Sequence, residues 1–294
     1  MQLCFVLRNC LSVLFMVTTV VVILRKFVTI GVGILSYLKE MLYFGGWNLW
    51  GGFATVLFSQ GINILLNMFF GPFVNAARGI AVQAQGAVTQ FSTNFQTALN
   101  PQITKSYALG DFTYMHSLIF RSSKFTFLLL AVISFPILLE TEMILQLWLN
   151  MVPAYTVVFV RLMLCITIID AMGGAFMVAA QSTGCVRFYQ SVVGGILLAI
   201  VPVSYVVLRL GGCTLECIPY SFLCLYLLHF FVRLFIIRSM IHLSLYSYFH
   251  AVLLRCLYVL LLAMPLPIGL LYIFPATLWA GISVCFVSVL TISL

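Results

Sequence analysis

Long apolar stretches alternate with short turn or charge signals along almost the whole chain. The runs fall at roughly 9–24, 41–70, 74–102, 120–139, 154–180, 189–208, 217–237, 251–273 and 276–294. Apart from the shortest, each approaches or exceeds the ~20 residues that a helix needs to cross a bilayer. The breaks carry turn chemistry: Gly71-Pro72, Asn100-Pro101 with Gly110-Asp111, residues 151–153, Gly211-Gly212 and Phe274-Pro275. Strands of a membrane barrel would instead alternate over about ten residues. The pattern predicts an all-α polytopic membrane protein. The run at 9–24 is the weakest, so about eight transmembrane helices is the firmer count. It suits the apolar part of a signal peptide in length, but Arg25-Lys26 stand where small residues would be wanted. It therefore reads as a membrane segment.

Two of the runs are not uniformly apolar. With successive residues 100° apart, Asn48, Gly52, Thr55, Ser59, Gln60, Asn63 and Asn67 share an arc of about 140° on the helix 41–70. On the next helix Asn75, Arg78, Gln83, Gln85, Thr89, Gln90, Ser92, Thr93, Asn94, Gln96, Thr97 and Asn100 occupy about 200°. Hydrogen bonding between transmembrane helices explains a few such residues, but a dozen exceed what one neighbouring helix satisfies. A surface-lying amphipathic helix would carry a polar face rich in Lys and Arg, and this one has a single Arg. The pattern points to a hydrated cavity, because polar groups facing lipid cost several kcal/mol apiece. Asn48, Gln60, Asn63, Asn67, Arg78, Gln83, Gln90, Asn94 and Thr97 are the candidate cavity residues, with Arg78 suited to a phosphate.

Composition agrees. The 294 residues are 64% hydrophobic and 7% charged, against about 45–50% and 25% in soluble domains. Fourteen Lys and Arg against six Asp and Glu leave a net charge of +8, without the basic cluster that nucleic acid would call for. The excess reads as orientation signal. With Arg25, Lys26 and Lys39 in the cytoplasm, Lys105, Arg121, Lys124, Arg187, Arg233, Arg238 and Arg255 fall on the same side. Only Arg8, Arg78 and Arg209 fall outside, and Arg161 stays within a segment. The loop 103–119 is then cytoplasmic.

Ionisable groups inside crossings are functional candidates. Asp170 stands about 4.5 Å along the axis from the midpoint of 154–180. It is either a proton or cation site or the partner of a basic or amide group on another helix. Arg161 lies half a turn out of phase with it and cannot pair with it; near the segment's outer end, it snorkels or joins Asp170 as a coupling candidate. Nine cysteines, most of them within apolar runs, read as small hydrophobes. The chain carries no catalytic motif; Cys213 and Cys217 are four apart, but Cys224 and His229, which follow, sit inside an apolar run and make no second tight ligand pair. Neither a cofactor nor a metal is expected. Gly173-Gly174 and Gly194-Gly195 suit close helix packing.

The run GWNLWGGFATVLFSQGINILLNMFFGPFVNAARGIAVQAQGAVTQFSTNFQTALNPQITKSYALGD (46–111) resembles bacterial polysaccharide-biosynthesis flippases. These are the O-antigen and capsule repeat-unit exporters of the MATE-like multidrug/oligosaccharidyl-lipid/polysaccharide superfamily. RSSKFTFLLLAVISFPILLE, LWLNMVPAYTVVFVRLML and AAQSTGCVRFYQ extend the similarity, which covers about residues 36–245. The resemblance implies movement of an undecaprenyl-diphosphate-linked oligosaccharide across the bacterial inner membrane. It also implies two six-helix lobes that rock about a shared hydrated cavity.

Within that family, 46–111 resembles the start of the second lobe. The expected organisation is the end of a first-lobe helix with its linker (1–40), a second-lobe bundle (41–245) and additional helices (246–294). The chain is thus expected to supply about one lobe. Alternating access would then require another chain for the first. The alternatives are a MATE-type drug or cation exporter, a membrane-embedded polysaccharide polymerase, and a fragment that transports nothing.

Overall fold

The computed structural model describes residues 33–149, 151–210, 217–263 and 265. Every regular element among them is helical, and six stretches are long and apolar enough to cross a membrane. These are Tyr37–Ala108, Phe112–Leu139, Thr156–Ser182, Val186–Arg209, Phe222–Ile241 and Leu245–Leu262. This is the build of a polytopic α-helical membrane protein. The runs at 9–24 and 276–294 lie outside the described residues, as do Arg8, Arg25, Lys26 and Gly211-Gly212. The chain divides into two units, one ending at Leu49 and the other beginning at Trp50.

Helix α1 (Gly33–Ala108) contains both polar runs. It is broken at Gly71, whose φ of 79° and ψ of 177° belong to a region that only glycine occupies without strain. Pro72 then opens the second limb, where its missing N–H is harmless and its fixed φ helps. The limbs fold back on each other: an Arg78 nitrogen donates to Asn63 Oδ1. Along a straight helix those residues would be about 22 Å apart. The predicted break at Asn100-Pro101 does not occur, because the helix continues through Pro101 to Ala108. Gly110 (φ 73°) makes the turn instead, and Asp111 caps α2 (Phe112–Leu139) by accepting from Tyr114 N at 2.9 Å. The expected loop 103–119 therefore shrinks to residues 109–111.

Helix α3 (Thr141–Leu149) is a short element that the hydropathy pattern does not announce. The run 154–180 becomes two helices, α4 (Thr156–Met172) and α5 (Gly174–Ser182), interrupted at Gly173. Helices α6 (Val186–Leu210) and α7 (Cys217–Ile241) follow. After a left-handed His242 (φ 54°), α8 (Leu245–Tyr248) leads through a π-helical turn, Phe249–Leu253, into α9 (Leu254–Ala263).

The second unit has two apolar cores. One joins Ile103, Met115, Ile119, Phe127, Phe176, Phe230, Ile237 and Tyr248. The other surrounds the Gly71 hairpin and joins Ile62, Leu66, Val74, Ala77, Ala81, Phe159, Leu164 and Ile200. Helix α6 approaches α1 closely at Gly194, where an added Cβ would stand 3.2 Å from the Ala54 methyl. Phe231, Phe235, Leu257, Leu261 and Leu262 are exposed. So large an apolar surface would drive a soluble protein to aggregate, and it suits hydrocarbon as the solvent.

Candidate functional site

The second limb of α1 has two chemically distinct sides. Ala77, Ala81, Val88, Ser92, Ile103 and Ser106 face the bundle and are buried. The small ones among them, Ala77, Ala81, Ser92 and Ser106, let the helix lie close to its neighbours. Gln83, Gln90, Thr93, Asn94 and Thr97 are exposed. Gln83, Gln90, Asn94 and Thr97 fall within about 60° of one another around the axis, forming a stripe. Gln90 Nε2 donates to Asn94 Oδ1 at 2.9 Å. The hydroxyls of Thr93 and Thr97 donate to the carbonyls four residues back, Thr89 O at 3.0 Å and Thr93 O at 2.7 Å. Their oxygen lone pairs remain available on the exposed side.

On the first limb, Gln60 and Asn67 are also exposed. Half-buried Asn63 sits between them, its Nδ2 donating to Gln60 Oε1 at 3.4 Å. Arg78 is not on the open stripe. It is buried, at 5% exposure, and held by Asn63. Its Nε makes no hydrogen bond among the described residues. Asn48 lies in the first unit, where Nδ2 donates to Phe44 O at 2.9 Å.

A second polar centre lies at the interruption between α4 and α5. Ending a helix inside the bundle interrupts the backbone ladder, and side chains from other helices reach the carbonyls at the break. Gln96 Nε2 donates to Ala171 O at 2.9 Å, and Ser123 Oγ donates to Met172 O at 2.8 Å. Arg233 Nη2 donates to Gly173 O at 2.7 Å. The same guanidinium reaches Asp170 Oδ1 through Nη1 at 2.6 Å and the Tyr189 hydroxyl through Nε at 2.9 Å. Gly173 and Gly174 make room for this convergence. A Cβ on Gly173 would stand 3.0 Å from the Arg233 guanidinium, and one on Gly174 would collide with the Gln96 amide. These glycines thus accept polar side chains as well as allowing packing.

Of the two alternatives for Asp170, the structure contains the pair with a basic group. Arg233 is 8% exposed at its side chain and Asp170 52%, so one carboxylate edge stays open while its partner is sealed in. Arg161 is elsewhere, donating from Nε to Thr141 Oγ1 at 3.1 Å. Arg233, counted from sequence among the cytoplasmic charges, is instead an interior residue. A cation close to the end of an apolar run looks like an end signal in hydropathy, and only its phase relative to Asp170 on another helix distinguishes the two. Among the described residues no group of His, Cys, Asp and Glu could hold a metal ion.

Comparison with protein-family models, with curated proteins and with solved structures finds no match to this chain.

Proposed function

We propose that the exposed stripe of α1 lines a hydrated path through the membrane, and that the chain forms one wall of a flippase for lipid-linked oligosaccharides. The observation that carries this reading is the row Gln83, Gln90, Asn94 and Thr97, uncharged and exposed on an intramembrane helix. Left against hydrocarbon these groups would cost several kcal/mol each. Water or a sugar satisfies them without charge neutralisation, since amides and hydroxyls both donate and accept.

The resemblance of 46–111 to the second lobe of polysaccharide flippases supports the choice of cargo. In this reading the protein is a multi-pass resident of the bacterial inner membrane with residues 109–111 in the cytoplasm. Removing buried Arg233 from the inner cations and buried Arg78 from the outer ones leaves the charge asymmetry in place. A cation exporter would call for a carboxylate without a resident cation, and Asp170, the carboxylate within the described spans nearest a midpoint, is paired with Arg233 through one oxygen.

The test is surface polysaccharide in cells that depend on this chain. Gln90→Leu and Asn94→Leu are expected to lower it severalfold while the protein level in the membrane is unchanged. Normal polysaccharide in both variants would contradict the assignment.

A further inference from the structure

Away from the stripe and the Arg233 centre, a hollow of about 420 Å³ opens between α2 and the π turn with α9. His116, Ser117, Arg121 and Lys124 line it from one face of α2, and Ala251 and Arg255 from the opposite wall. No acidic residue lines it. Among the described residues Arg121 and Arg255 make no hydrogen bond or ion pair, and the Lys124 ammonium stands 5.6 Å from the Phe125 ring centroid and near the Cys256 thiol. His116 is occupied, its Nε2 2.9 Å from Ile241 O.

Three cations around one hollow repel one another, and Arg121 and Lys124 at i, i+3 do so along the same helix. A multivalent anion would relieve that repulsion, and guanidinium forks match phosphate oxygens two at a time. The opposite wall is set by the π turn, an insertion that re-aims the residues following it and that recurs at functional sites.

The surroundings identify the kind of anion. Arg121, Lys124 and Arg255 stand at the beginnings of the apolar runs 120–139 and 251–273, where a helix meets headgroups. Phe125, Leu254, Leu257 and Tyr258, on the same two helices, expose large apolar surfaces. A soluble phosphate would use the cations and leave these surfaces idle. An amphiphile would use both.

We infer that this hollow binds the phosphate of an anionic phospholipid through Arg121, Lys124 and Arg255, with the acyl chains lying along α2 and α9. The site does not depend on the transport reading, and its test does not measure transport.

The full chain in detergent micelles is titrated with phosphatidylglycerol and with phosphatidylcholine, and bound lipid is counted by native mass spectrometry. Phosphatidylglycerol should bind in preference. Arg121→Gln and Arg255→Gln should each weaken it about fivefold, the effect of one interfacial cation. Arg121→Lys should retain most of the binding. Arg209→Gln, which removes a cation far along the chain beside Tyr205, should leave it unchanged. Equal binding of the two lipids, or an equal loss in Arg209→Gln, would overturn the proposal. Displacement of phosphatidylglycerol by millimolar inorganic phosphate would overturn the lipid source and assign the same cations to a soluble phosphate.

Discussion

Arg233 uses all three of its nitrogens. One bonds Asp170, one bonds the Tyr189 hydroxyl, and one bonds the Gly173 carbonyl at the α4–α5 interruption, beside the Phe176 N–H that it also accepts. Breaking a fully buried ion pair typically costs about 3–5 kcal/mol, mostly because a charge is left without compensation. Here the Asp170 carboxylate is half open, so solvent screens part of that loss. Asp170→Asn should therefore lower the melting temperature in detergent less than Arg233→Ala does. The paired change Asp170→Asn with Arg233→Ala should cost less than the two single changes added together. A coupling of about 0.5–3 kcal/mol is normal for residues in one network. Strict additivity would mean that the contact contributes nothing to the fold.

At the scale of single elements, glycines decide where helices break and what crosses the breaks. Gly71→Ala places a side chain at φ 79° and ψ 177°, a conformation that costs a non-glycine residue about 1–3 kcal/mol. It should lower the melting temperature and loosen the Asn63–Arg78 contact across the hairpin. At Gly174 the obstacle is the Gln96 amide and not backbone. Gly174→Ala should thus be destabilising in the wild-type background and much less so alongside Gln96→Ala. Thermal unfolding of the four proteins in the cycle checks this, and the same loss in both backgrounds would refute it.

The elements also show what the sequence makes legible. Gly71-Pro72 marks its break because glycine supplies the φ and proline the start of the next limb. Pro101 marks none. Its lost N–H and its ring are absorbed within a helix that runs on to Ala108, where the Gly110 turn and the Asp111 cap take over. The lengths of α2, α6 and α7 follow their apolar runs to within several residues. Helix α3, nine residues long, is too short to register as an apolar run and falls in the gap between 120–139 and 154–180. The polar stripe is legible because it repeats with the helical period on one element. The Arg233 centre is not, because its parts come from α1, α2, α4, α6 and α7 and meet only when the helices pack.

At the scale of the molecule, two kinds of exposed surface have to be told apart. Phe235, Leu257 and Leu261 are exposed and apolar, as lipid requires. Gln83, Gln90, Asn94 and Thr97 are exposed and polar, as water requires. If both faced hydrocarbon, the stripe would make the second unit harder to keep in a bilayer than its composition suggests. In the proposed flippase wall the two surfaces face different solvents, a matter of position across the bundle and not of any one contact.

The most direct test introduces single cysteines at positions 83, 90, 94 and 97, and at 235, 257 and 261, in a background with the native cysteines replaced. Each is then exposed in native membranes to a charged, membrane-impermeant thiol reagent. The account predicts rapid modification at positions 83, 90, 94 and 97 and protection at 235, 257 and 261. Equal protection of both sets would place the polar stripe against lipid or protein, and the hydrated path would not exist.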